Sequence, residues 1–472
     1  MLEFRKIDER AYQFLKEYAV KNCNHLTEYS IGFVQMWKNF LNLEYAIQEN
    51  LLLLRAYIEE KYWFYYPIHR QGGEEEIDKG LSAIEEYCTQ KDIALQYVAI
   101  AQENFAKMAM RYGANMETMS FRNNKDYLYL AEDFKNFGGR KYSGQRNHIN
   151  KFKKSYPNYQ FDIWKAEDNI ELEIFLKEWA EEHGISGEVA NAELEGVFTL
   201  LTKIEEFGYF CGLLKIENKI VGFSIGERCG DCIIVHAEKA LRGYSGIYPT
   251  LAQLFAQTFV TEDIVYLNRE DDAGEIGLRK SKLQYLPIAL IDKYTILTKR
   301  AIDNVQKLPT VKGERIVLKA IGKKDIESFA KLAGDVELNA FWGYDYRLDA
   351  PKNVNSTWFY TSTMEDFKKR MELPLAIYHK RKLIGQVVLH KFDYQNQAEI
   401  GMRILPEWQG RGFAKESLLL LSHYAFFSLG IDRVKAKAYR ENEVSIHTLQ
   451  AIGMQKDGED EQFIYFSKSA AM

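Results

Sequence analysis

The 472-residue chain is poor in cysteine: it has five, and their odd number and irregular spacing exclude a disulfide framework. Long apolar runs are missing too. Stretches such as 51–54 and 418–421 fall far short of the roughly 18 residues a spanning helix needs, which excludes a transmembrane helix. Neither sign of charge dominates. With 62 basic against 67 acidic residues the formal net charge is -5, so no global field draws the chain to nucleic acid or an anionic membrane, and any polyanion site has to be local. No signal-peptide pattern opens the sequence, and the expected compartment is the cytoplasm. HExxH, Walker A and Gly-x-Ser-x-Gly patterns are lacking as well. Cys229-Gly230-Asp231-Cys232 has half a zinc site's spacing without a second Cys or His pair, and it lies where two strands need a turn, so no metal is expected.

What is present is an ordinary globular balance, 46% hydrophobic and 27% charged, in a length that suggests about three packed units. Helical periodicity at 11–21, aromatic hairpin-like text at 62–66 and a helical pattern at 74–90 make a first lobe. A basic stretch follows, with Lys135, Arg140, Lys141, Arg146, Lys151, Lys153 and Lys154 and no acidic residue among them. Helical patterns at 172–182 and 192–206 lead into strands at 209–216, 219–227 and 232–238. The loop 242–246 then opens a helix with Pro249 near its first turn, and a strand at 263–268 follows. Low periodicity with Pro309 and Gly313 marks a connection. The expected division is an N-terminal unit 1–300 of two lobes, about 1–135 and 136–300, a linker 301–313, and a final domain 314–468. In that domain a strand is predicted at 316–320, a helix at 324–333 and a hairpin over 375–378 and 383–390. Alternating signals of this kind predict the α/β class, mixed sheets covered by helices.

The most informative segment is a strand at 399–405, a break at Pro406, then Gln409, Gly410, Arg411, Gly412, Phe413 and Ala414 opening an apolar helix. Two glycines let the backbone turn its N–H groups inward, and the helix adds its positive end, which together suit a pyrophosphate. Gln-x-x-Gly-x-Ala between strand and helix resembles the coenzyme A signature of the Gcn5-related N-acetyltransferase superfamily. The downstream text, a strand at 433–439, then Glu441-Asn442-Glu443-Val444-Ser445 and Ile452-Gly453-Met454, is similar to its ribosomal-protein acetyltransferase branch.

That resemblance covers the last third of the chain and implies acetyl-CoA as cosubstrate and an amine as acceptor. It implies that amides from Gln409 to Ala414 hold the pyrophosphate and that Asn442 and Ser445 lie beside the pantetheine and thioester. It also implies that free N–H groups along Met402, Arg403, Ile404 and Leu405 serve the thioester oxygen. Glu399 is the candidate general base, against the alternative of an ordinary strand carboxylate facing solvent. Many relatives carry a tyrosine seven residues after the asparagine to protonate the leaving thiolate. Leu449 stands there in this chain, which leaves Ser445, a water or Tyr439, the last also readable as a packed strand aromatic. Trp342-Gly343-Tyr344-Asp345-Tyr346 falls where such enzymes line the acceptor groove, as stacking aromatics or as core.

A second pattern joins 236–240, 246–248, 266–271 and 277–282. It resembles a bacterial domain related to the C-terminal catalytic domain of phosphatidylglycerol lysyltransferases, built from two acetyltransferase-like lobes, and covers about 300 residues. Strand, glycine loop, helix, strand, polar cluster and short helix recur in the same order at 232–282 and 398–453, so three acetyltransferase-like lobes are expected. In the earlier copy, Arg242-Gly243-Tyr244-Ser245-Gly246 departs from the coenzyme order and points to another donor. Such relatives draw on aminoacyl-tRNA, and the basic stretch either contacts RNA phosphates or is a solvated helix face. Glu238, Asn268, Arg269, Glu270 and Asp271 either line a cleft for an ammonium group or form a structural ion-pair cluster. The relatives' membrane-embedded half has no counterpart here, so no lipid acceptor is implied.

Overall fold

A computed structural model describes residues 2–21, 25–69, 73–342 and 354–470. Gly343, Tyr344, Asp345 and Tyr346 lie outside the described residues. The chain forms two compact units, one of Met1–Ala109 with Glu117–Leu297, the other of Met110–Met116 with Thr298–Met472.

The first unit holds two sheets. The first uses β1 (Arg5–Lys6), β2 (Glu44–Gln48), β3 (Leu51–Ile58), β4 (Lys61–Phe64), β5 (Ile68–His69), β6 (Gln96–Ala101) and β7 (Met116–Ser120). The second uses β8 (Asp126–Leu130), β9 (Tyr159–Ile163), β10 (Phe210–Ile216), β11 (Lys219–Cys229), β12 (Cys232–Ala240), β13 (Tyr266–Asn268) and β14 (Ala289–Ile291), after which β15 (Lys293–Thr298) returns to the first sheet between β6 and β7. Consecutive residues of β3 and β11 are buried, so both faces of these strands are covered, as in a sheet with helices on each side. The second sheet thus begins at Asp126, ahead of the expected division near 135, and the first is completed only by β15. Exchange of strands between neighbouring sheets leaves no trace in local periodicity. Cys229 pairs with Cys232 across the tight turn joining β11 to β12.

The second unit carries one sheet in the order β16 (Val311–Lys312), β17 (Ile316–Lys319), β18 (Glu372–His379), β19 (Lys382–His390), β20 (Gln397–Ile404), β21 (Arg433–Tyr439), β23 (Phe463–Ser469) and β22 (Gln455–Glu459). Its two faces have separate cores. Ala398, Ile400 and Ile404 of β20 pack with Leu418, Leu421 and Ala425 of the helix Phe413–Ser428. On the other face Ala376, Tyr378 and Leu383 meet Phe329 and Leu332 of the helix Ile326–Gly334 and Phe359 of the helix Ser356–Lys368. Residues 301–313 do not behave as the expected linker: Ala301, Ile302 and Val305 are buried in the first of these cores and β16 edges the sheet. Three apolar residues in five are too few to show a period, yet enough to dock the segment.

Each of the three sheets contains a parallel pair joined through a helix: β4 with β6, β12 with β13, and β20 with β21. The architecture is α/β with mixed sheets, in three acetyltransferase-like lobes.

Candidate active site

β20 pairs with β19 along its length, from Gly385↔Ile404 to His390↔Glu399, but meets β21 only at Gln397, Ala398 and Glu399. Past Glu399 the two parallel strands part, leaving a wedge. Amides along a strand alternate between its two neighbours. The Leu405 N–H donates to the Ile384 carbonyl at 2.9 Å, on the β19 side, whereas the Asn396 carbonyl accepts from Arg433 of β21. Odd-numbered amides therefore face β19 and even-numbered ones face β21. Of the four expected donors, Met402 and Ile404 turn their N–H groups into the wedge; Arg403 and Leu405 do not, because the period of two forbids a continuous run.

The loop after β20 is built from local constraints. Its first turn has Trp408 N–H bonded to the Leu405 carbonyl at 2.9 Å and Gln409 N–H to the Pro406 carbonyl at 3.2 Å. The Gln409 amide is thus already engaged, contrary to expectation. Its side chain instead ties the loop to the strand, Nε2 donating to the Ile404 carbonyl at 2.9 Å. Gly410 and Gly412 have φ of 70° and 77°, the left-handed region that glycine enters at least cost. Gly412 caps the helix Phe413–Ser428, whose Glu416 N–H bonds the Gly412 carbonyl at 3.2 Å. The amides of Phe413, Ala414 and Lys415 are left without helical acceptors. A Cβ at Gly410 would meet nothing within 4 Å, so the space beside the loop at this position is open. Loop amides, helix dipole and open space are what a pyrophosphate requires.

Arg315, which local sequence signals do not mark, braces this loop from β17's side. Its Nη1 donates to the Arg411 carbonyl at 2.9 Å and its Nε to Glu416 at 2.8 Å, while its own amide donates to the other Glu416 oxygen at 2.8 Å. Arg411 bonds the Glu407 carbonyl at 2.8 Å and lies over the Trp408 ring.

Across the wedge, Asn442 caps the helix Glu443–Ala451 by accepting the Ser445 N–H at 3.1 Å, which brings those two expected residues together. Leu449 points into the core. Tyr439 packs between Phe341 and Phe463, the packed-aromatic alternative. Glu399 sits at the vertex, on the last paired position. Its carboxylate bonds Lys391 at 2.9 Å and stands 3.6 Å from His390 Nε2, too far for a hydrogen bond. It is not a solvent-facing carboxylate: only 17% of its side chain is exposed. Burial holds the His390 imidazole below its usual range, with Lys391 and Lys437 adding to the effect and Glu399 opposing it. Glu372, opposite His390 on β18, is pushed up to about 8 by burial and by Asp366. Arg403 is buried between Gln386, at 2.6 Å and 3.0 Å, and Asn339, at 2.7 Å, under the Trp342 ring.

In the first unit β12 and β13 repeat the wedge, pairing only through Ile234↔Asn268. Here side chains bridge it. Arg269 donates to Glu238 at 2.8 Å, and His236 bonds Glu270 at 2.8 Å and Glu227 at 2.9 Å. Burial alone would lower the His236 pKa, but the two carboxylates win and raise it to about 9. Asn268 donates to the His25 carbonyl at 2.6 Å and to Asp126 at 3.0 Å and accepts from the Glu270 amide, while Asp271 accepts the Ala273 amide. Asp126 and Glu28 share Lys293, 2.7 Å from each. Lys282 donates to the carbonyls of Arg269 and Asp271, and burial lowers it to about 8. The expected residues are thus gathered, but bonded to one another and to His236, Lys282 and Asp126, which local sequence did not assign to them. The loop equivalent is closed as well: a Cβ on Gly246 would come within 2.2 Å of the His148 carbonyl. Of the basic stretch, Lys135 pairs with Glu132, Lys141 with Asp133, and Arg146 with the carbonyls of Phe137 and Gly139. Arg140, Lys151 and Lys154 remain exposed.

Residues 22–297 match the family described as phosphatidylglycerol lysyltransferase, C-terminal, and residues 315–455 match the acetyltransferase (GNAT) domain. The chain belongs to the phosphatidylglycerol lysyltransferase C-terminal family, carries a Gcn5-related acetyltransferase domain behind it, and is an acyltransferase. A conserved protein of unknown function from Bacteroides thetaiotaomicron, known by crystal structure, is similar in fold: TM-score 0.60 at 24% identity, over 63% of this chain and 100% of that one. The C-terminal part is similar to the N-acetyltransferase YoaA of Bacillus subtilis, 25% identical over 33% of this chain and 89% of YoaA. It is also similar to the spermidine N(1)-acetyltransferase of Vibrio cholerae, 28% identical over 24% of this chain and 72% of that protein. For the N-acetyltransferase YnaD of Bacillus subtilis the chain spans about half the relative's length, 51%. No described helix is long and apolar enough to cross a membrane.

Proposed function

We propose that the C-terminal unit transfers the acetyl group of acetyl-CoA to a primary amine of a small molecule or of a protein terminus or side chain. One observation carries the reading: the wedge between β20 and β21 and the amides of the loop at Gly410 to Ala414 adjoin at the end of β20, so one extended ligand reaches both. The loop amides and the positive helix end hold the pyrophosphate, and Arg315 keeps the loop in shape. Acetyl-CoA supplies an activated thioester carbonyl. The N–H groups of Met402 and Ile404 donate to its oxygen as charge grows there. Asn442 fixes the turn that sets the helix Glu443–Ala451 along the wedge, and the Ser445 hydroxyl donates a proton to the departing thiolate. Glu399 marks the vertex at which the amine's proton leaves.

The test is calorimetric titration of acetyl-CoA into the full chain and into Gly412→Val, with thiol release measured over a panel of primary amines. One site in the unaltered chain, lost in the variant, is expected; equal affinity in both would remove the reading.

For the N-terminal unit the reading we favour second is aminoacyl transfer from aminoacyl-tRNA, with a non-catalytic substrate-binding module as its rival. Its support is the bridged wedge and covered Gly246, which leave little room for a coenzyme there. Charged tRNA should bind the full chain with an affinity that falls with salt and with replacement of Lys151, Lys153 and Lys154. Absence of such binding would leave the module.

A further inference from the structure

Glu372, His390 and Glu399 occupy directly opposed positions on three adjacent strands, Glu372↔His390 across β18 and β19 and His390↔Glu399 across β19 and β20. Directly opposed residues share a face of the sheet. This row lies at the vertex of the wedge, on the face away from the helix Phe413–Ser428, because the even-numbered residues Ala398 and Ile400 fill the core beneath that helix. His390 is thus flanked by two carboxyl groups. The Glu399 carboxylate is already engaged by Lys391 at 2.9 Å, whereas among the described residues the charged group recorded beside the His390 ring is Glu399 itself, at 3.6 Å.

We propose that His390 is the group that takes the proton from the acceptor ammonium, and that Glu399 is a positioning residue acting through it. The inference rests on the acetyltransferase reading and deepens it. The groups facing the ring are Glu372 on β18, Lys391 beyond the end of its own strand, Glu399 on β20 and Lys437 on β21. Burial and the two lysines keep the imidazole neutral at pH 7, with a lone pair available, and Glu399 steadies the cation that forms on proton uptake.

The balance is simple. An ammonium gives one proton to His390, which later passes it to water. The amine nitrogen then forms a bond to the thioester carbon, the carbon–sulfur bond breaks, and the second amine proton ends on the thiol. Products are the amide, free coenzyme A and one proton in solution. Geometry of 3.6 Å between His390 and Glu399 in the free enzyme shortens to a hydrogen bond once the ring is charged.

The experiment compares two acceptors with the full-length enzyme: n-butylamine, protonated at pH 7 and dependent on a base, and hydroxylamine, already neutral and independent of one. His390→Gln should lower the ratio of butylamine to hydroxylamine transfer by about 100-fold, the usual contribution of a positioned base. Glu399→Gln should move the acid limb of the butylamine kcat/KM profile to lower pH, since the carboxylate that raises the imidazole pKa is gone. Equal loss with both acceptors in His390→Gln means a structural role and overturns the proposal. So does abolition of the limb in Glu399→Gln with a wild-type-like ratio in His390→Gln, which would make Glu399 the base. Failure of the unaltered enzyme to acetylate either amine sinks the acetyltransferase reading itself, and this inference with it.

Discussion

Replacing Gly410 by alanine separates the cost of a strained backbone from the cost of a filled site. At φ 70° a Cβ meets nothing within 4 Å, so no clash adds to the left-handed penalty of about 1–2 kcal/mol. For a unit of this size that is a fall in Tm of roughly 2–8 °C. Gly430 provides the control within the same unit: its φ is 71° and a Cβ there also meets nothing within 4 Å. Gly430→Ala should therefore lose the same stability. If the space beneath the loop receives a pyrophosphate, the Gly410 methyl displaces an oxygen from at least one amide. A hydrogen bond to a charged group contributes about 1.5–3 kcal/mol, so the Kd for acetyl-CoA should rise roughly 10- to 100-fold in Gly410→Ala alone. Differential scanning calorimetry and isothermal titration of both variants decide it. Equal affinity in the two would reduce the glycine loop to a strand-to-helix turn.

Two further outcomes concern the first unit. Lys293→Met leaves Glu28 and Asp126 buried without their shared cation and should cost about 3–5 kcal/mol in urea unfolding; because Glu28 is raised to about 7, the loss should be smaller at pH 5 than at pH 8. His236 is raised from 6.5 to about 9, so its contribution to stability, of roughly 3 kcal/mol, is fully present below pH 6.5 and lost as pH rises through 9. His236→Gln should abolish that dependence in pH-dependent urea titrations, and a dependence that persists in the variant would show another group to be responsible.

The turn of the glycine loop was legible because its reasons are local: glycines at 410 and 412 are required by left-handed φ, and the strand and helix on either side have clear periods. The family resemblance implied four free amides over Met402 to Leu405, where alternation permits two. Arg315 was beyond it, since it braces Arg411 from 96 positions away in sequence. Glu238 and the residues 268–271 could be seen as a polar cluster at strand ends. What bonds them could not, because His236 lies on β12, Lys282 on the helix Ile276–Gln284 and Asp126 on β8, brought together only by folding. Burial of residues 301–305 was missed for a related reason: docking a short segment needs a few well-placed apolar side chains, not a pattern.

The return of β15 to the first sheet has a consequence for synthesis. Until residue 298 leaves the ribosome, β6 touches its sheet through one pair, Phe64↔Tyr97, and presents an open edge where β15 will insert. At about 5–20 residues per second the intervening stretch takes roughly 10–40 s to emerge. During that interval the second sheet matures as a guest inside an unfinished host, and the bare edge of β6 is available to any other strand, including one from a neighbouring nascent copy. A stalled or cleaved chain that ends before Lys293 keeps that edge permanently, which marks it as a substrate for chaperones and proteases rather than a smaller working enzyme.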